Sequence, residues 1–381
     1  MVSIAFTGGG TGGHIYPGLA VAERLKKLFP EGVIRVFWIG SSSGMDRSLV
    51  EDAGIEFFGV PSGKLRRYFS LKNFIDIFRI LAGFVASRKI LKRQKAVLLF
   101  SKGGFVSVPP CAAAASLRIP VFTHESDYSP GLATRINSRF VSRGGRIFTA
   151  YKDTGLFFPE KKRALVFLSG NPVRAVFRAA DPEMGRKFLG VDAGERILLV
   201  LGGSQGAKEI NDLVRAALPA LTGVYTVVHQ SGPALSWDIP ASGKYKPYLY
   251  IKEEMPHVMA AAEAVMGRSG AGIWEWAVLG KPMILLPLRG SGTRGDQVEN
   301  ARYFEKAGAA YVLSSIYGKN GETDIQEFID IVNLLARDEN KRKMYSAASA
   351  KTGETDGAEV IARVLAETIR MEPSPALSVS G

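Results

Sequence analysis

Apolar residues in this 381-residue chain gather into short, nearly continuous runs separated by longer amphipathic stretches. Continuous runs, as opposed to strict apolar-polar alternation, mark strands buried on both faces, as in parallel sheets. The pattern predicts strands at Val2–Phe6, Val33–Ile39, Val97–Phe100, Val121–His124 and Ile147–Thr149. A second series follows at Ile197–Leu201, Tyr225–His229, Ala264–Met266, Met283–Leu286 and Ala310–Leu313. Between them apolar positions recur at helical spacing, as in Gly18–Phe29 and Ile210–Leu221. Repeated β-α units of this kind predict an α/β protein built from two doubly wound, Rossmann-like domains. The punctuation Ser169-Gly170-Asn171-Pro172-Val173-Arg174 puts the break between them, giving domains 1–170 and 171–351. The Pro- and Ser-containing tail, 371–381, reads as disordered.

In open α/β sheets, ligands bind beyond the carboxyl ends of the strands. A glycine-rich turn stands at such an end in each half. The first is Gly8-Gly9-Gly10-Thr11-Gly12-Gly13-His14, the second Gly202-Gly203-Ser204-Gln205-Gly206. Backbone N–H groups exposed at a strand-to-helix turn, with a helix dipole behind them, favour an anion. Five glycines in six positions, 8–13, exceed what a tight turn needs, so ligand contact is the better reading. Two such turns suggest two nucleotide-type domains facing one cleft. The second turn lacks the GxGxxG fingerprint, so a nucleotide-sugar diphosphate suits it better than a nicotinamide or flavin.

Other residues are read beside plainer alternatives. His14 follows the first loop and could act as a general base near neutral pH, or could merely cap or pack. Gly103-Gly104-Phe105 and His124-Glu125-Ser126-Asp127 both follow apolar strands and can project toward a ligand. Glu125 is the second candidate base; a structural loop acid is the alternative for Glu125 or Asp127. In Arg268-Ser269-Gly270-Ala271-Gly272-Ile273-Trp274-Glu275, the acid at a helix start could accept both hydroxyls of a ribose, or could simply stabilise the helix dipole.

Charge changes the picture in one region. The chain carries a formal +13, yet residues 1–173 hold 25 Lys/Arg against 11 Asp/Glu, while the remainder holds 24 against 25. Within 64–102 there are eleven basic residues and one acid, Asp76. Leu71, Phe74, Ile75, Phe78, Leu81, Ala82 and Val85 form a helical stripe there, with Ile77, Ile80 and Phe84 adding apolar surface. A core helix with solvated basic ends is one reading. The other is a membrane contact in which Phe74, Ile75, Phe78 and Leu81 enter the lipid and Arg88, Lys89, Lys92 and Arg93 meet anionic headgroups. The extra apolar face favours the membrane. A nucleic-acid binder would need stacking platforms or a recognition helix, and a hydrophobic helix interrupts the basic stretch instead.

A single cysteine, Cys111, excludes an intrachain disulfide and a multi-cysteine metal site; it reads as a small buried side chain in a reducing compartment. No signal-peptide pattern and no run of 18 apolar residues is seen. Asp-x-Asp is absent, as are the P-loop and the Gly-x-Ser-x-Gly elbow, so a carboxylate-held metal, an ATPase and an α/β-hydrolase lose their main support.

Taken in order, Gly9–His14 with Pro17-Gly18-Leu19-Ala20, Lys102–Ser107, His124-Glu125, Gly170–Arg174, Gly202–Gly206, Arg268–Ala271, Glu275 and Gln297 with Asn300-Ala301 resemble the family-28 glycosyltransferases. Within that family they resemble the UDP-N-acetylglucosamine transferases of peptidoglycan synthesis, and the likeness runs to about residue 368. The resemblance implies a GT-B fold and inverting transfer of GlcNAc from UDP-GlcNAc to the C4 hydroxyl of MurNAc in lipid I, giving lipid II, with no cofactor and no metal. It also implies peripheral attachment to the cytoplasmic face of the cell membrane, possible partners from cell-wall synthesis or division, and no nucleic acid.

Carried over by position, Thr11, Gly12 and Gly13 would line the donor sugar and the acceptor side. Arg174, Ser204, Gln205, Lys252, Ala271, Gly272, Glu275 and Gln297 would surround UDP-GlcNAc, with Glu275 on the ribose and the Ser204 loop on the diphosphate. Gly103 and Gly104 would join Gly10 around the acceptor diphosphate. The C-terminal helix, 352–368, would return to the first domain. Three departures stand out: Asp127 occupies a sugar-contact position where the family has Asn, the Arg268–Glu275 segment is one residue short, and the 289–295 segment is longer than usual. The same plan is shared by UDP-GlcNAc 2-epimerases and by other lipid-sugar transferases, which are the alternatives.

Overall fold

The computed structural model describes residues 1–10, 12–43, 46–63, 71–142, 144–203, 206–232, 239–290, 293–314 and 325–371; in the helix that opens at Leu71, side chains are described from Asp76 onward. The chain divides into two compact units. One comprises residues 1–174 together with the segment from Thr355, the other Ala175–Glu354.

The first unit holds a parallel sheet of seven strands: β1 (Val2–Thr7), β2 (Ile34–Ser41), β3 (Glu56–Val60), β4 (Ala96–Ser101), β5 (Val121–Glu125), β6 (Ile147–Thr149) and β7 (Val166–Leu168). Their order is β3-β2-β1-β4-β5-β6-β7. The second unit holds six more: β8 (Ile197–Leu201), β9 (Thr226–Gln230), β10 (Tyr245–Tyr248), β11 (Ala264–Gly267), β12 (Met283–Leu285) and β13 (Ala310–Val312), ordered β10-β9-β8-β11-β12-β13. Every pairing is parallel. The α/β architecture expected from the apolar runs is therefore present in both units, and β6 and β8 have the bounds those runs give.

Three strands escaped the pattern, and all three lie at sheet edges: β3, β7 and β10. An edge strand is covered on fewer sides, so it tolerates polar interruption. Glu56 opens β3, Phe167 and Leu168 are exposed in β7, and β10 reads Tyr-Lys-Pro-Tyr with only its first residue buried.

Alternation along the central strands splits the first unit's core in two. Ile4 and Phe6 of β1, Val36 and Trp38 of β2, and Leu98 and Phe100 of β4 face one side. There they meet the helix Tyr16–Lys27 and the last helix, Gly357–Met371, through Ala358, Ile361, Ala362, Leu365 and Ile369. Arg24 and Asp356 pair at 2.9 Å beside this contact. The last helix starts later than the 352–368 span suggested by resemblance, because Thr352 closes the preceding helix, Glu339–Thr352. It runs on to Met371; the remainder of the expected tail, 372–381, lies outside the described residues. On the opposite side Ala5, Phe37, Ile39 and Leu99 pack on Leu91, Cys111, Ala113 and Ala114. Cys111 is fully buried and its thiol is pushed up to about 12 by desolvation, as suits an inert core residue.

Candidate functional site

The carboxyl ends of β1, β4 and β5 bring three loops together in the first unit. Trp38, packed inside β2, donates its indole N–H to Gly8 O at 3.0 Å and fixes the start of the first glycine loop. Gly103 and Gly104 both have left-handed φ, +93° and +78°. A side chain on Gly104 would meet Gly9 O at 2.5 Å and the His14 ring at 3.1 Å, so the two glycine loops touch backbone to backbone with the imidazole against them. His14, Gly9, Gly10, Gly103 and Gly104 are thus one constellation. Gly12 lies against the ring of Tyr16, and the Arg174 guanidinium sits 4.5 Å from the centroid of that ring. Arg174, expected among the donor residues, therefore stands with the first unit's loop. Gly13 is exposed, and Thr11 lies outside the described residues.

Gly10, expected at the acceptor diphosphate, has a partner within the protein. Its N–H donates to the Asp46 carboxylate, at 3.0 and 3.3 Å, and Ser41 N donates to the same group at 3.3 Å. Asp46 is 1% exposed and fits only because residue 9 is glycine: a Cβ there would lie 2.0 Å from Asp46 Oδ2. The loop thus encloses a carboxylate of the protein's own. Burial raises the Asp46 carboxyl above its ordinary value, against the two N–H donors that favour its charge.

Glu125 is likewise committed. Oε1 accepts from Ser126 N at 2.9 Å and Asp127 N at 3.0 Å, and Oε2 accepts from Gly131 N at 2.9 Å. All three bonds lie within the loop after β5, which makes Glu125 an anchor of that loop. Asp127 is half-buried in that loop. Beneath it Lys102, 2% exposed, donates Nζ–H to Ser126 Oγ and donates its backbone N–H to Thr7 O at 2.8 Å. Burial lowers the Lys102 ammonium below the usual lysine value, while Glu125 and then Asp127 oppose that shift. His124, fully buried, has Nε2 3.1 Å from Gly170 O; burial, then the Lys102 charge, hold it well below the ordinary histidine value and keep it neutral.

In the second unit, the residues expected around a UDP-sugar stand at the carboxyl edge of its sheet. Gly203 and Gly206, with φ of +81° and +79°, turn the chain from β8 into the helix Lys208–Thr222. Ser204 and Gln205 lie outside the described residues. Gln230, at the end of β9, donates to Gly203 O at 3.5 Å and accepts from Ile251 N at 2.9 Å, which ties the turn to the segment carrying exposed Lys252. After β11, Arg268 pairs with Glu209 at 2.7 Å in the first turn behind the glycine loop. Ala271 and Gly272 lead into the helix Ile273–Val278, where half-buried Glu275 sits between buried Trp274 and Trp276. Gln297, in the first turn of the helix Asp296–Lys306, accepts from Leu288 N at 3.0 Å, and Ser269 Oγ donates to Gln297 O at 2.7 Å. The longer 289–295 segment feeds this helix, braced by an Arg294–Asp296 pair at 2.8 Å; 291–292 lie outside the described residues.

The helix Leu71–Arg93 resolves the question of its two apolar faces. Asp76, Gly83, Ser87 and Leu91 are buried. Gly83 sits so close that a Cβ would lie 2.3 Å from Pro61 O. Ile77, Phe78, Leu81 and Val85 face outward, 46 to 69% exposed, with Arg88, Lys89, Lys92 and Arg93 exposed further along. The expected contacts Phe74 and Ile75, and the basic Lys64, Arg66 and Arg67, fall outside the described side chains. Among the described residues no helix is long and apolar enough to cross a membrane.

Sequence reasoning gave no role to Asp46, Lys102, Tyr16 and Gln230. Lys102 had a signal in its position, a cation directly between an apolar run and a glycine pair. Asp46 had only its place beyond the end of β2.

Two parallel-sheet units with loops gathered at their strand ends define the GT-B class of glycosyltransferases. Residues 4–144 match the Glycosyltransferase family 28 N-terminal domain, and residues 197–361 the Glycosyltransferase family 28 C-terminal domain. The chain is 46% identical to the UDP-N-acetylglucosamine--N-acetylmuramyl-(pentapeptide) pyrophosphoryl-undecaprenol N-acetylglucosamine transferase of Treponema denticola, over 93% of this chain and 95% of that one. The protein of the same name from Shouchella clausii is 42% identical over 82% of this chain and 86% of its own. In fold, the chain is similar to the crystal structure of Acinetobacter baumannii MurG, with a TM-score of 0.68, 22% identity and coverage of 96% and 100%. The chain belongs to glycosyltransferase family 28.

Proposed function

We propose that this chain is an inverting hexosyltransferase that moves GlcNAc from UDP-GlcNAc to the C4 hydroxyl of MurNAc in lipid I, giving the lipid II of peptidoglycan synthesis. The observation that carries the reading is the 46% identity across nearly the whole length of a relative named for that transfer. The chemistry is consistent with it. Inversion needs in-line attack by the acceptor hydroxyl and a group to take its proton. We assign that role to His14, whose ring packs against Gly104 beside the first glycine loop. Glu125, with both oxygens engaged by backbone N–H groups, acts by holding its loop. On the donor side, the turn at Gly203 and Gly206 with its helix of fifteen residues would offer N–H groups and a dipole to the departing UDP. Lys252, Glu275 and Gln297 would complete the donor contacts.

We further propose that the outward face of the 71–93 helix rests on an anionic membrane surface, where a lipid-linked acceptor resides. Exposed Phe78 and Leu81 lie alongside Arg88, Lys89, Lys92 and Arg93, an apolar wedge with a cationic rim. Each nearby cation contributes about 1 kcal/mol on an anionic surface. Binding to anionic vesicles should weaken with salt and with Phe78→Ser; equal partition into neutral and anionic vesicles at low salt would overturn the membrane reading.

The deciding experiment is transfer of radiolabel from UDP-GlcNAc to a lipid I analogue, with UDP-GalNAc as control donor. Label in a lipid product supports the proposal. Consumption of UDP-GlcNAc without acceptor would replace it with epimerase chemistry.

A further inference from the structure

Lys102 is a buried cation that the transfer chemistry above does not use. It lies where the three loops of the first unit meet. Its Cβ is 3.2 Å from where a side chain on Gly8 would begin, its backbone N–H holds Thr7 O, and Gly103 follows it directly. At 2% exposure it does not reach substrate. Its ammonium donates to Ser126, flanked in sequence by the two carboxylates Glu125 and Asp127, which are its Coulombic partners. Without the lysine, that loop would carry two negative charges where a UDP-sugar and a diphosphate acceptor must both approach.

We infer that Lys102 is a positioning residue for donor binding: its buried ammonium answers the charges of Glu125 and Asp127 and so holds the loop after β5 in the form that receives the donor sugar. This rests on the proposed function and on the sugar contact that the resemblance implies for Asp127, a position where the resembled family carries Asn. A carboxylate there accepts but cannot donate a hydrogen bond, and it brings a charge that the amide lacks. A cation beneath the loop offsets the added charge without touching the ligand. A buried charge that loses its partner is strongly penalised, so the effect of removing Lys102 should depend on which carboxylates remain.

The test is a pair of double-mutant cycles on the full-length protein. Methionine replaces lysine because it is unbranched and fills similar space. Lys102→Met should raise the UDP-GlcNAc KM by about tenfold or more, with a smaller change in kcat. In the Asp127→Asn background the same substitution should raise KM by under about threefold. Denaturant midpoints supply the second cycle: Lys102→Met should shift the midpoint markedly with Glu125 present and much less in the Glu125→Gln background. A lysine that only fills space would give the same change in every background. Lack of coupling at either carboxylate overturns the inference. If the wild-type protein transfers no GlcNAc, the functional reading fails, and the donor-independent midpoint cycle still tests the charge compensation.

Discussion

The two loop-bearing edges of this protein are held by different chemistry. In the first unit buried ions hold the loops: Asp46 inside the first glycine loop, Glu125 inside the turn after β5, and Lys102 beneath that same turn. In the second unit neutral amides do comparable work. Gln230 ties the glycine turn to Ile251, Gln297 holds Leu288, Asn300 donates to Ser269 O at 3.0 Å, and Asn211 and Tyr245 enclose His229. One ion pair at that edge, Arg268 with Glu209, keeps side chains 17% and 23% exposed. A buried ion fixes one geometry and one charge state, because its loss leaves a partner uncompensated. A satisfied amide network holds shape without adding net charge. The difference places the buried charges with the loops of the first unit.

The sharpest way to break this comparison is kinetic. His14→Ala should lower kcat by about 10²–10⁴-fold, the usual worth of a positioned base, with the UDP-GlcNAc KM nearly unchanged. Retention of kcat within a few-fold would move the base elsewhere. Next in size, Gly9→Ala should cost about 3 kcal/mol in denaturant unfolding, since its Cβ would collide with Asp46. Gly203→Ala meets nothing within 4 Å and should cost only the left-handed strain, about 1–2 kcal/mol. Equal costs would mean that the ion inside the first loop adds nothing.

A third prediction concerns acid. Burial brings His229 down to about 4 from its ordinary value near 6.5. The unfolded chain therefore binds the proton first as pH falls, and the folded second unit loses stability between about pH 6.5 and 4. The slope from this group is at most about 1.4 kcal/mol per pH unit. His229→Gln should flatten that part of the unfolding profile; an unchanged slope would exclude His229 as its source. Smallest of all, Gln297→Ala removes the bond to the exposed Leu288 N–H and should cost about 1 kcal/mol or less, a fall in Tm of no more than about 2–4 °C by calorimetry.

Much of the fold was legible because interior parallel strands are apolar on both faces and advertise themselves as runs. The edge strands β3, β7 and β10 were not, since partial exposure lets polar residues into them. Of the site, the glycine turns and the residues around Glu275 and Gln297 could be placed on strand ends by topology alone. The partners of Gly10 and Glu125 could not, because each depends on which backbone and carboxylate atoms meet in the folded chain. Asp46 is thirty-six residues from the Gly10 N–H that it accepts.

By itself, the sequence determined the two sets of β-α units, the glycine turns at strand ends and the cationic bias of the first half, since these follow from residue type and spacing. Tertiary structure alone decided that Asp46 fills the first loop, that Lys102 is sealed beneath the loop after β5, and which apolar face of the 71–93 helix turns to solvent. Local pattern sets what a residue can do, but desolvation and partnership depend on the segments that fold around it, and those come from everywhere in the chain.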